Sequence, residues 1–217
     1  MRAELARGSI PGKRLLPSRN APDTETRHSA DMGNSADTLL RDFIMVADNA
    51  LPPEHCRRLI DRFEAMEAHQ LDIREEAGYS FAQLGITVAW PDEQEVLLPV
   101  FLQHLQNYRQ TRRAFYWPPD MAYEHLRMKR YLPNGRDHFE PHVDVLDHSS
   151  SRRFMTAFIY LNAPADGETV FPELDLAIKP ETGRLLAFPP LWLFPHEGRP
   201  PSREPKYILH MYLCYRG

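Results

Sequence analysis

The chain has 217 residues, with 26 Lys and Arg against 30 Asp and Glu, and a formal net charge of −4. This size fits one domain that can bury a full core, and the absence of a basic block excludes nucleic acid as an expected partner. Two cysteines, Cys56 and Cys214, are too few for a disulfide scaffold or a cysteine-based zinc site, so the ten histidines and the carboxylates must hold any metal.

Residues 1–37 contain no aromatic residue and no Val, and they mix both charges with Ser, Pro, Gly and Asn. Such a stretch cannot offset the entropy cost of ordering, so we predict a disordered tail, and its acidic residues argue against an organelle transit peptide. No apolar run reaches the roughly 18 residues of a membrane span, and residues 1–10 lack the apolar stretch of a signal peptide. We predict a soluble, cytoplasmic protein without a membrane partner, and residues 38–217 as its single domain.

The first part of this domain, residues 38–117, is predicted to be a helical support. It opens on a short strand pattern at 43–47. Apolar residues then follow the 3.6-residue period of a helix, at Cys56, Leu59, Ile60, Phe63 and Met66. A second helix is predicted after Pro91, with Pro99 expected to kink or restart it. Its apolar stripe consists of Val96, Val100, Phe101, Leu105 and Tyr108.

The pattern changes at Pro118. Thirteen of the twenty prolines lie from here onward, and the apolar residues switch to period two in short segments. Strands and turns fit between these prolines, whereas helices of ordinary length do not. We predict strands at 123–132, 138–145, 154–162, 168–171, 176–178, 184–188 and 205–215. Residues 118–217 are therefore predicted to form an antiparallel β barrel or sandwich behind the helices.

One of these strands carries alternating imidazoles and carboxylates. His138, Glu140, His142 and Asp144 lie two residues apart, so a strand places all four on one face. The pair His142 and Asp144 can then present two ligands to one metal ion. The pair His138 and Glu140 is a competitor on the same face, more typical of a polar rim, and a solvated polar strand without any metal is the alternative.

The last strand has two different faces. Its apolar face is predicted to pack under the helices and consists of Tyr207, Leu209, Met211, Leu213 and Tyr215. Lys206, on the other face, points into a closing barrel, where a buried ammonium requires an anion. This arrangement predicts a pocket for a carboxylate. If the strand instead lies at an edge, Lys206 simply faces water.

Two imidazoles and one carboxylate from separate segments form the facial triad of mononuclear Fe(II) oxygenases. Several stretches accompany this triad in order: Arg130-Tyr131, Ile159-Tyr-Leu-Asn162, Gly167-Glu-Thr-Val-Phe-Pro172, Lys179-Pro-Glu-Thr-Gly183, Pro195-His-Glu-Gly198 and Lys206-Tyr207. Together they make residues 128–215 resemble the catalytic core of the iron- and 2-oxoglutarate-dependent dioxygenases, in the prolyl 4-hydroxylase-like branch. The resemblance implies a mainly β fold, a double-stranded β-helix or cupin-like barrel, with N-terminal supporting helices.

The resemblance also implies roles for single residues. His142, Asp144 and His196 would be the Fe(II) ligands. Lys206 would pair with the distal carboxylate of 2-oxoglutarate, and the residues lining the co-substrate pocket would be Tyr160, Tyr131 and Thr169. Three further residues are candidates for the substrate pocket, namely His210, Tyr212 and Trp192. No acid, base or nucleophile beyond the metal ligands is expected.

The implied activity is the hydroxylation of an unactivated C–H bond, using O2 and 2-oxoglutarate with release of succinate and CO2, and with ascorbate as a candidate reductant. A protein or peptide side chain is the favoured substrate, followed by a free amino acid. The segments 146–153 and 70–90 are expected on the substrate side. A cupin-type metal-dependent isomerase or small-molecule binding protein is the alternative, but it leaves Lys206 without a role. A catalytically silent scaffold would need a broken triad.

Overall fold

The computed structural model describes residues 37–75, 78–112, 114 and 116–216. Of the predicted tail, residues 1–36 lie outside the described residues. Residues 37–41 are helical, and three helices follow: α1 (Pro53–Glu64), α2 (Ile86–Ala89) and α3 (Pro91–Thr111). Among the described residues, no helix combines the length and the apolar character needed to cross a membrane.

Twelve strands are defined in the described part of the chain. They are β1 (Met45–Ala47), β2 (Leu71–Glu75), β3 (Tyr79–Gly85), β4 (Met121–Tyr123), β5 (Arg127–Tyr131), β6 (His138–His142), β7 (Arg153–Tyr160), β8 (Thr169–Phe171), β9 (Leu176–Ile178), β10 (Leu185–Phe188), β11 (His196–Gly198) and β12 (Lys206–Tyr215). Each pairing between them is antiparallel.

The strands form one curled sheet in two halves. One half has the order β1-β10-β7-β12-β5-β3, and the other has the order β6-β11-β8-β9. Strand β3 joins them, because it pairs with β5 along most of its length and with β6 at its start. The two halves are those of a double-stranded β-helix, so the predicted fold class is confirmed.

The period of two along β12 separates two cores. Leu209 and Met211 point to the outer side, where they pack in one cluster with Leu59 of α1 and Phe101 of α3. Ile208 and His210, which alternate with them in sequence, point to the inner side. The inner cluster is rich in aromatic rings, including Phe81, Phe158, Tyr160, Phe171, Phe188 and Phe194. The helices thus stabilise the sheet from behind, and its inner face is left to line a cavity.

The predicted helices are present, with one change in the buried stripe. Helix α3 continues through Pro99 without ending, so the expected restart is wrong. Val96, predicted to be buried, is exposed, and Leu97 takes its place in the core. The reason is the helical period: the stripe of Leu97, Phe101, Leu105 and Tyr108 keeps one face toward the sheet, whereas Val96 lies about 100° away from Leu97.

The strand predictions need three corrections. The predicted strand 123–132 is split into β4 and β5, because Leu126 turns aside to bond the helical segment: its carbonyl accepts from Ile86 N, and its N–H donates to Thr87 Oγ1. The strand predicted at 138–145 ends at His142. Tyr215, assigned to the apolar face of β12, is half exposed at the strand's end.

Three strands were missed. The hairpin of β2 and β3 lies in the segment 70–90, and β11 lies in the predicted loop around His196. Residues 38–117, predicted as a helical support, therefore also supply three strands of the sheet, β1 to β3.

Candidate metal centre

Two histidines face each other across neighbouring strands. His142 ends β6 and His196 begins β11, and the two residues are direct partners in the antiparallel register, with ring centroids 4.3 Å apart. Each ring is oriented by a nearby carbonyl: Nδ1 of His142 lies 2.7 Å from Glu140 O, and Nδ1 of His196 lies 3.1 Å from Phe194 O. Because a carbonyl only accepts, Nδ1 carries the proton, and the Nε2 lone pair is free to bind a metal.

Asp144 completes the group from the bend that follows β6. The strand prediction placed it on β6 itself, and this is wrong. Its Oδ1 lies 3.5 Å from His142 Nε2 and its Oδ2 lies 3.8 Å from His196 Nε2. One ligand atom from each of the three residues lies within 4.8 Å of the others. Asp144 Oδ1 also accepts a hydrogen bond of 2.8 Å from the Tyr212 hydroxyl.

The charges of this group suit a divalent metal. Burial raises the pKa of Asp144, but its contacts with the rings of His142 and His196 outweigh this effect, so the pKa stays well below its usual value. Burial lowers the pKa of His196 to about 4, against the opposing charge of Asp144. At neutral pH the cluster therefore offers an ionised carboxylate and a neutral His196, the forms that bind metal. Two imidazoles and one carboxylate fit Fe(II) with open coordination positions.

An inner cavity of about 50 Å³ adjoins the three ligands. Lys206 lies at one end of it and is 2 % exposed. Its ammonium donates to Gly167 O and Arg199 O, each at 2.9 Å, and lies 4.7 Å from the centroid of the Tyr131 ring. An ammonium has three N–H groups, so one remains for a ligand in the cavity. Burial lowers the pKa of Lys206 to about 7, which the charges of Glu168 and Asp166 partly oppose.

The other residues predicted for the co-substrate pocket also line this cavity. Tyr160 and Thr169 are both buried, and the Tyr160 hydroxyl donates a hydrogen bond of 2.6 Å to Thr169 Oγ1. Because Thr169 accepts this bond, its own hydroxyl proton is free to donate to a ligand. Tyr131 lies beneath the Lys206 ammonium. Its pKa and that of Tyr160 are raised by burial, so both phenols stay protonated.

Two of the three substrate-pocket candidates are brought to the site, and one is not. His210 and Tyr212 are buried on the inner face of β12 and line the cavity. Trp192 lies in the loop between β10 and β11, is 75 % exposed, and lines neither this cavity nor the cleft outside it. The loop turns toward solvent at this point, whereas Phe194, two residues later, is the aromatic residue that packs into the inner core.

Sequence reasoning did not single out three cations of the site, and one of them, Arg127, lines the outer side. Lys129 lines the inner cavity, and Arg153 lines the neighbouring cleft, where its guanidinium lies 4.1 Å from the centroid of the Tyr212 ring. Strand parity could have found Lys129, because it lies two residues before Tyr131 on the same strand and so shares its face. Arg153 ends the segment 146–153, which was expected on the substrate side, but nothing in the sequence distinguishes it from the other residues of that segment.

An outer cleft of about 650 Å³ opens next to the inner cavity. Both are lined by Lys129, Phe139, His142, Asp144, His210 and Tyr212. The cleft also contacts the hairpin of β2 and β3 and the loop after Asp144, which includes Leu146, Asp147 and Ser150. Both segments had been expected on the substrate side. The metal cluster therefore lies between a small inner cavity and a wide outer cleft.

Comparison with known proteins gives a consistent result. Residues 126–214 match the model of the 2OG-Fe(II) oxygenase superfamily. A curated relative, a putative prolyl 4-hydroxylase of Acanthamoeba polyphaga mimivirus, is 35 % identical over a region that covers 48 % of this chain and 50 % of the relative. The chain thus spans about half the length of the curated relative that it matches.

Solved structures with the same fold include prolyl hydroxylases from three sources. The viral collagen prolyl hydroxylase of Paramecium Bursaria Chlorella virus-1 is 22 % identical with a TM-score of 0.61, covering 79 % of this chain and 95 % of that one. The Pseudomonas putida prolyl-4-hydroxylase is 19 % identical with a TM-score of 0.61 and coverages of 83 % and 99 %. The Trichoplax adhaerens enzyme, solved with a hypoxia inducible factor peptide, is 14 % identical with a TM-score of 0.62 and coverages of 88 % and 94 %.

Proposed function

We propose that this chain, whose residues 126–214 match the model of the 2OG-Fe(II) oxygenase superfamily, is a prolyl 4-hydroxylase-like oxygenase that hydroxylates a carbon of a peptide or protein substrate. One observation carries the proposal: the His142, Asp144 and His196 cluster and the Lys206 ammonium line the same small cavity. A metal and a dicarboxylate can therefore be bound side by side.

His142, Asp144 and His196 would hold the metal. Bound Fe(II) supplies the activation of O2, coupled to decarboxylation of 2-oxoglutarate to succinate and CO2, which leads to hydroxylation of a C–H bond. The carbonyls of Glu140 and Phe194 keep the two imidazoles in the tautomer that this ligation needs.

The far end of the cavity suits the distal carboxylate of 2-oxoglutarate. Lys206 offers its third N–H, and Thr169 offers its hydroxyl. Both donors are fixed beforehand, Lys206 by two carbonyls and Thr169 by Tyr160. The apolar walls formed by Phe158 and Ile208 keep water out of this space and strengthen the charged interaction.

The outer cleft is the proposed place of the substrate. It is much larger than the inner cavity, open to solvent, and bordered by an edge hairpin and a loop, so an extended peptide can lie across it. The Trichoplax prolyl hydroxylase of similar fold, solved in complex with a peptide, supports this choice. A free amino acid is the second candidate, because the same cleft also admits a small molecule.

Two parts of the proposal concern the reaction's surroundings. Ascorbate is proposed as the reductant that keeps the iron in its Fe(II) state. A cytoplasmic location is supported by the cysteines, since Cys56 and Cys214 are both free and buried, a state typical of proteins from reducing compartments.

The first test is spectroscopic. Anaerobic addition of Fe(II) and 2-oxoglutarate should produce a visible charge-transfer band, and admission of air should produce succinate. His142→Ala should abolish both signals. His138→Ala is the matched control, because it removes an imidazole four residues earlier on the same strand but outside the metal cluster. Metal binding without band or succinate would favour the cupin-type isomerase or binding protein instead.

The substrate is then sought by mass spectrometry. Proline-containing peptides, free amino acids and cell extract are incubated with the complete protein, Fe(II), 2-oxoglutarate and ascorbate. A mass gain of one oxygen that requires 2-oxoglutarate identifies the substrate. A gain confined to free amino acids would contradict the peptide assignment and leave the reaction class intact.

A further inference from the structure

Lys129 is a second buried lysine at the site, at the junction of the inner cavity and the outer cleft. It lies on β5, opposite Ile208 of β12 and Gln83 of β3, and its side chain shares the inner face with Tyr131. Only 8 % of the residue is exposed, and it lines both spaces. Lys206, in contrast, lines only the inner cavity and not the outer cleft.

The Lys129 ammonium is held by aromatic rings rather than by acceptors. It lies 4.6 Å from the centroid of the Phe81 ring and 5.8 Å from that of Phe139. Among the residues that the structure describes, it has no hydrogen bond and no ion pair. Burial lowers its pKa to about 8, so it remains mostly charged at neutral pH. A buried cation without an acceptor is costly, and an anion brought to it by a ligand would offset that cost.

Asp144 does not supply that anion. Its charge favours the charged form of Lys129, but its Oδ1 accepts the hydrogen bond of the Tyr212 hydroxyl, both oxygens lie toward the Nε2 atoms of the two imidazoles, and no ion pair with Lys129 forms within 4.0 Å. In the loaded site the charges of Fe(II), Asp144 and Lys206 sum to two positive charges, which the two carboxylates of 2-oxoglutarate neutralise. The charge of Lys129 is left uncompensated.

The arginines nearest to the cleft are already paired. Glu124 bonds Arg153 at 2.7 Å and Arg127 at 3.1 Å, so its carboxylate is shared between both guanidinium groups. Asp147, also in the cleft wall, accepts hydrogen bonds from Ser149 and Ser150 and is turned into its own loop. Lys129 is therefore the cation of this wall with no acceptor among the described residues.

His210 adds a second unpartnered group next to Lys129. Its Nε2 lies 3.0 Å from Thr156 Oγ1, whereas its Nδ1 is buried and has no partner among the described residues. Burial and the charge of Lys129 keep the pKa of His210 well below its usual value, so the ring is neutral. Donation by the buried Thr156 hydroxyl to Nε2 leaves the fewest groups unsatisfied, and it places the ring proton on Nδ1 as a free donor.

We propose that Lys129, assisted by His210 Nδ1, binds a carboxylate of the substrate and thereby selects acidic substrates. The carboxylate belongs either to an Asp or Glu side chain near the hydroxylated residue or to a free chain terminus, since both present the same group. A singly charged carboxylate matches the single charge of the Lys129 ammonium. This inference rests on the proposed function, and it adds a substrate class that the metal cluster alone does not specify.

The test measures binding rather than turnover. The full chain is loaded with Zn(II) and 2-oxoglutarate, and blocked proline-centred pentapeptides are titrated by calorimetry. In each pair of peptides, one position carries Glu in one peptide and Gln in the other. A second pair compares acetyl-proline with its amide and so distinguishes a free terminus from an acidic side chain. We expect at least one acidic probe to bind about 10-fold or more tightly than its neutral partner, the range of a buried charge-assisted hydrogen bond.

Variants then assign this preference to Lys129. Lys129→Met and Lys129→Gln should both reduce it to within about twofold, the Gln variant guarding against misfolding of the Met variant. Lys179→Met is the matched control, because Lys179 is an exposed lysine away from the cavity and the cleft, and it should keep the full preference.

Three results would overturn the inference: no acidic probe that binds better than its amide partner, a preference that persists in both Lys129 variants, or weakened 2-oxoglutarate binding in these variants with the acidic preference intact. The last result would assign Lys129 to the co-substrate. The charge-transfer band and succinate formation of the unaltered protein are measured in parallel. If they are present while the preference is absent, only the carboxylate inference fails, and if they too are absent, the proposed function fails.

Discussion

The two buried lysines of the site show two ways of keeping an ammonium out of water. Lys206 bonds two backbone carbonyls, whereas Lys129 lies against two phenylalanine rings and bonds no acceptor in the described part of the chain. Carbonyls fix the direction of the N–H bonds, but rings provide only a diffuse attraction. The inner cavity at Lys206 therefore suits one ligand of fixed length, whereas the junction at Lys129 suits a group that enters from the outer cleft.

Strand register sets the distance between the two ends. Lys206 is opposite Tyr131, and Lys129, two residues before Tyr131, is opposite Ile208. Two residues of a strand span about 7 Å, so the two cations are offset by roughly that distance along the inner face. Each can therefore serve a different carboxylate, which is the assumption that the following predictions test.

The largest effect is expected from Asp144→Ala, which removes the ligand that lies between both ends. The two imidazoles without the carboxylate should bind Fe(II) or Mn(II) at least about 100-fold more weakly, because loss of a direct ligand costs more than the roughly 10- to 100-fold lost when a group that supports a ligand is removed. Metal titration by calorimetry measures this, with Asp147→Ala as a nearby control outside the cluster. Unchanged affinity would remove Asp144 from the metal site and end the comparison of the two lysines.

Lys206→Ala should affect only the inner end. Removing one partner of a buried, hydrogen-bonded charge pair costs about 2 to 5 kcal/mol, so 2-oxoglutarate should bind at least about 30-fold more weakly while metal affinity stays the same. Lys129→Met should leave 2-oxoglutarate affinity within about twofold. Titration of both variants with 2-oxoglutarate under anaerobic conditions tests whether the two lysines have separate roles. Equal losses of 2-oxoglutarate affinity in the two variants would disprove this separation.

The pH dependence of co-substrate binding provides a third test. Burial lowers the pKa of Lys206 to about 7, and the ammonium form is the one that binds a carboxylate. Affinity for 2-oxoglutarate should therefore be highest below pH 7 and fall as pH rises, by about tenfold between pH 6 and pH 8. The dissociation constant of the Zn(II)-loaded protein, measured at several pH values, should lose this slope in Lys206→Ala. A flat profile in the unaltered protein would contradict a depressed Lys206 pKa.

The smallest effect is on the stability of the metal-free protein. Lys129→Met removes a desolvated charge that bonds no acceptor, so it should raise the free energy of unfolding by about 1 to 2 kcal/mol at pH 7. Lys206→Met should bring no such gain, because it leaves the carbonyls of Gly167 and Arg199 without their donor. Urea unfolding of both variants measures this free energy. Destabilisation by Lys129→Met would contradict the prediction and would indicate that a contact stabilises the ammonium in the metal-free protein.

The ligand cluster could be anticipated because its signals are local in sequence. Spacing and residue type single out Lys206 and a strand of alternating imidazoles and carboxylates, and the resemblance to the dioxygenases selects His142 and Asp144 on that strand. The structure brings these residues together with His196. Their roles stay predictions until metal and co-substrate are bound. The prediction of one continuous strand through Asp144 failed because β6 stops at His142, and the bend that follows turns the carboxylate toward both rings.

What the sequence could not show depends on partners distant along the chain. Strand β3 is stabilised by pairing with β5 and β6, more than forty residues away, so its own short pattern was read as part of a helical region. Lys129 was missed for a related reason. A lysine within a strand usually faces water, and only the packing of Phe81 and Phe139 around it shows that this one is buried.

The direct pairing of His142 with His196 has a consequence for folding. A shift of β11 by one residue against β6 would turn His196 to the opposite face of the sheet, and the barrel could still close without its metal centre. Tight metal binding is thus possible only for molecules with the correct register, and by mass action it draws the population toward them. Metal binding therefore selects molecules with the correct strand register. The measured ratio of bound metal to protein then gives the fraction of molecules that have folded correctly.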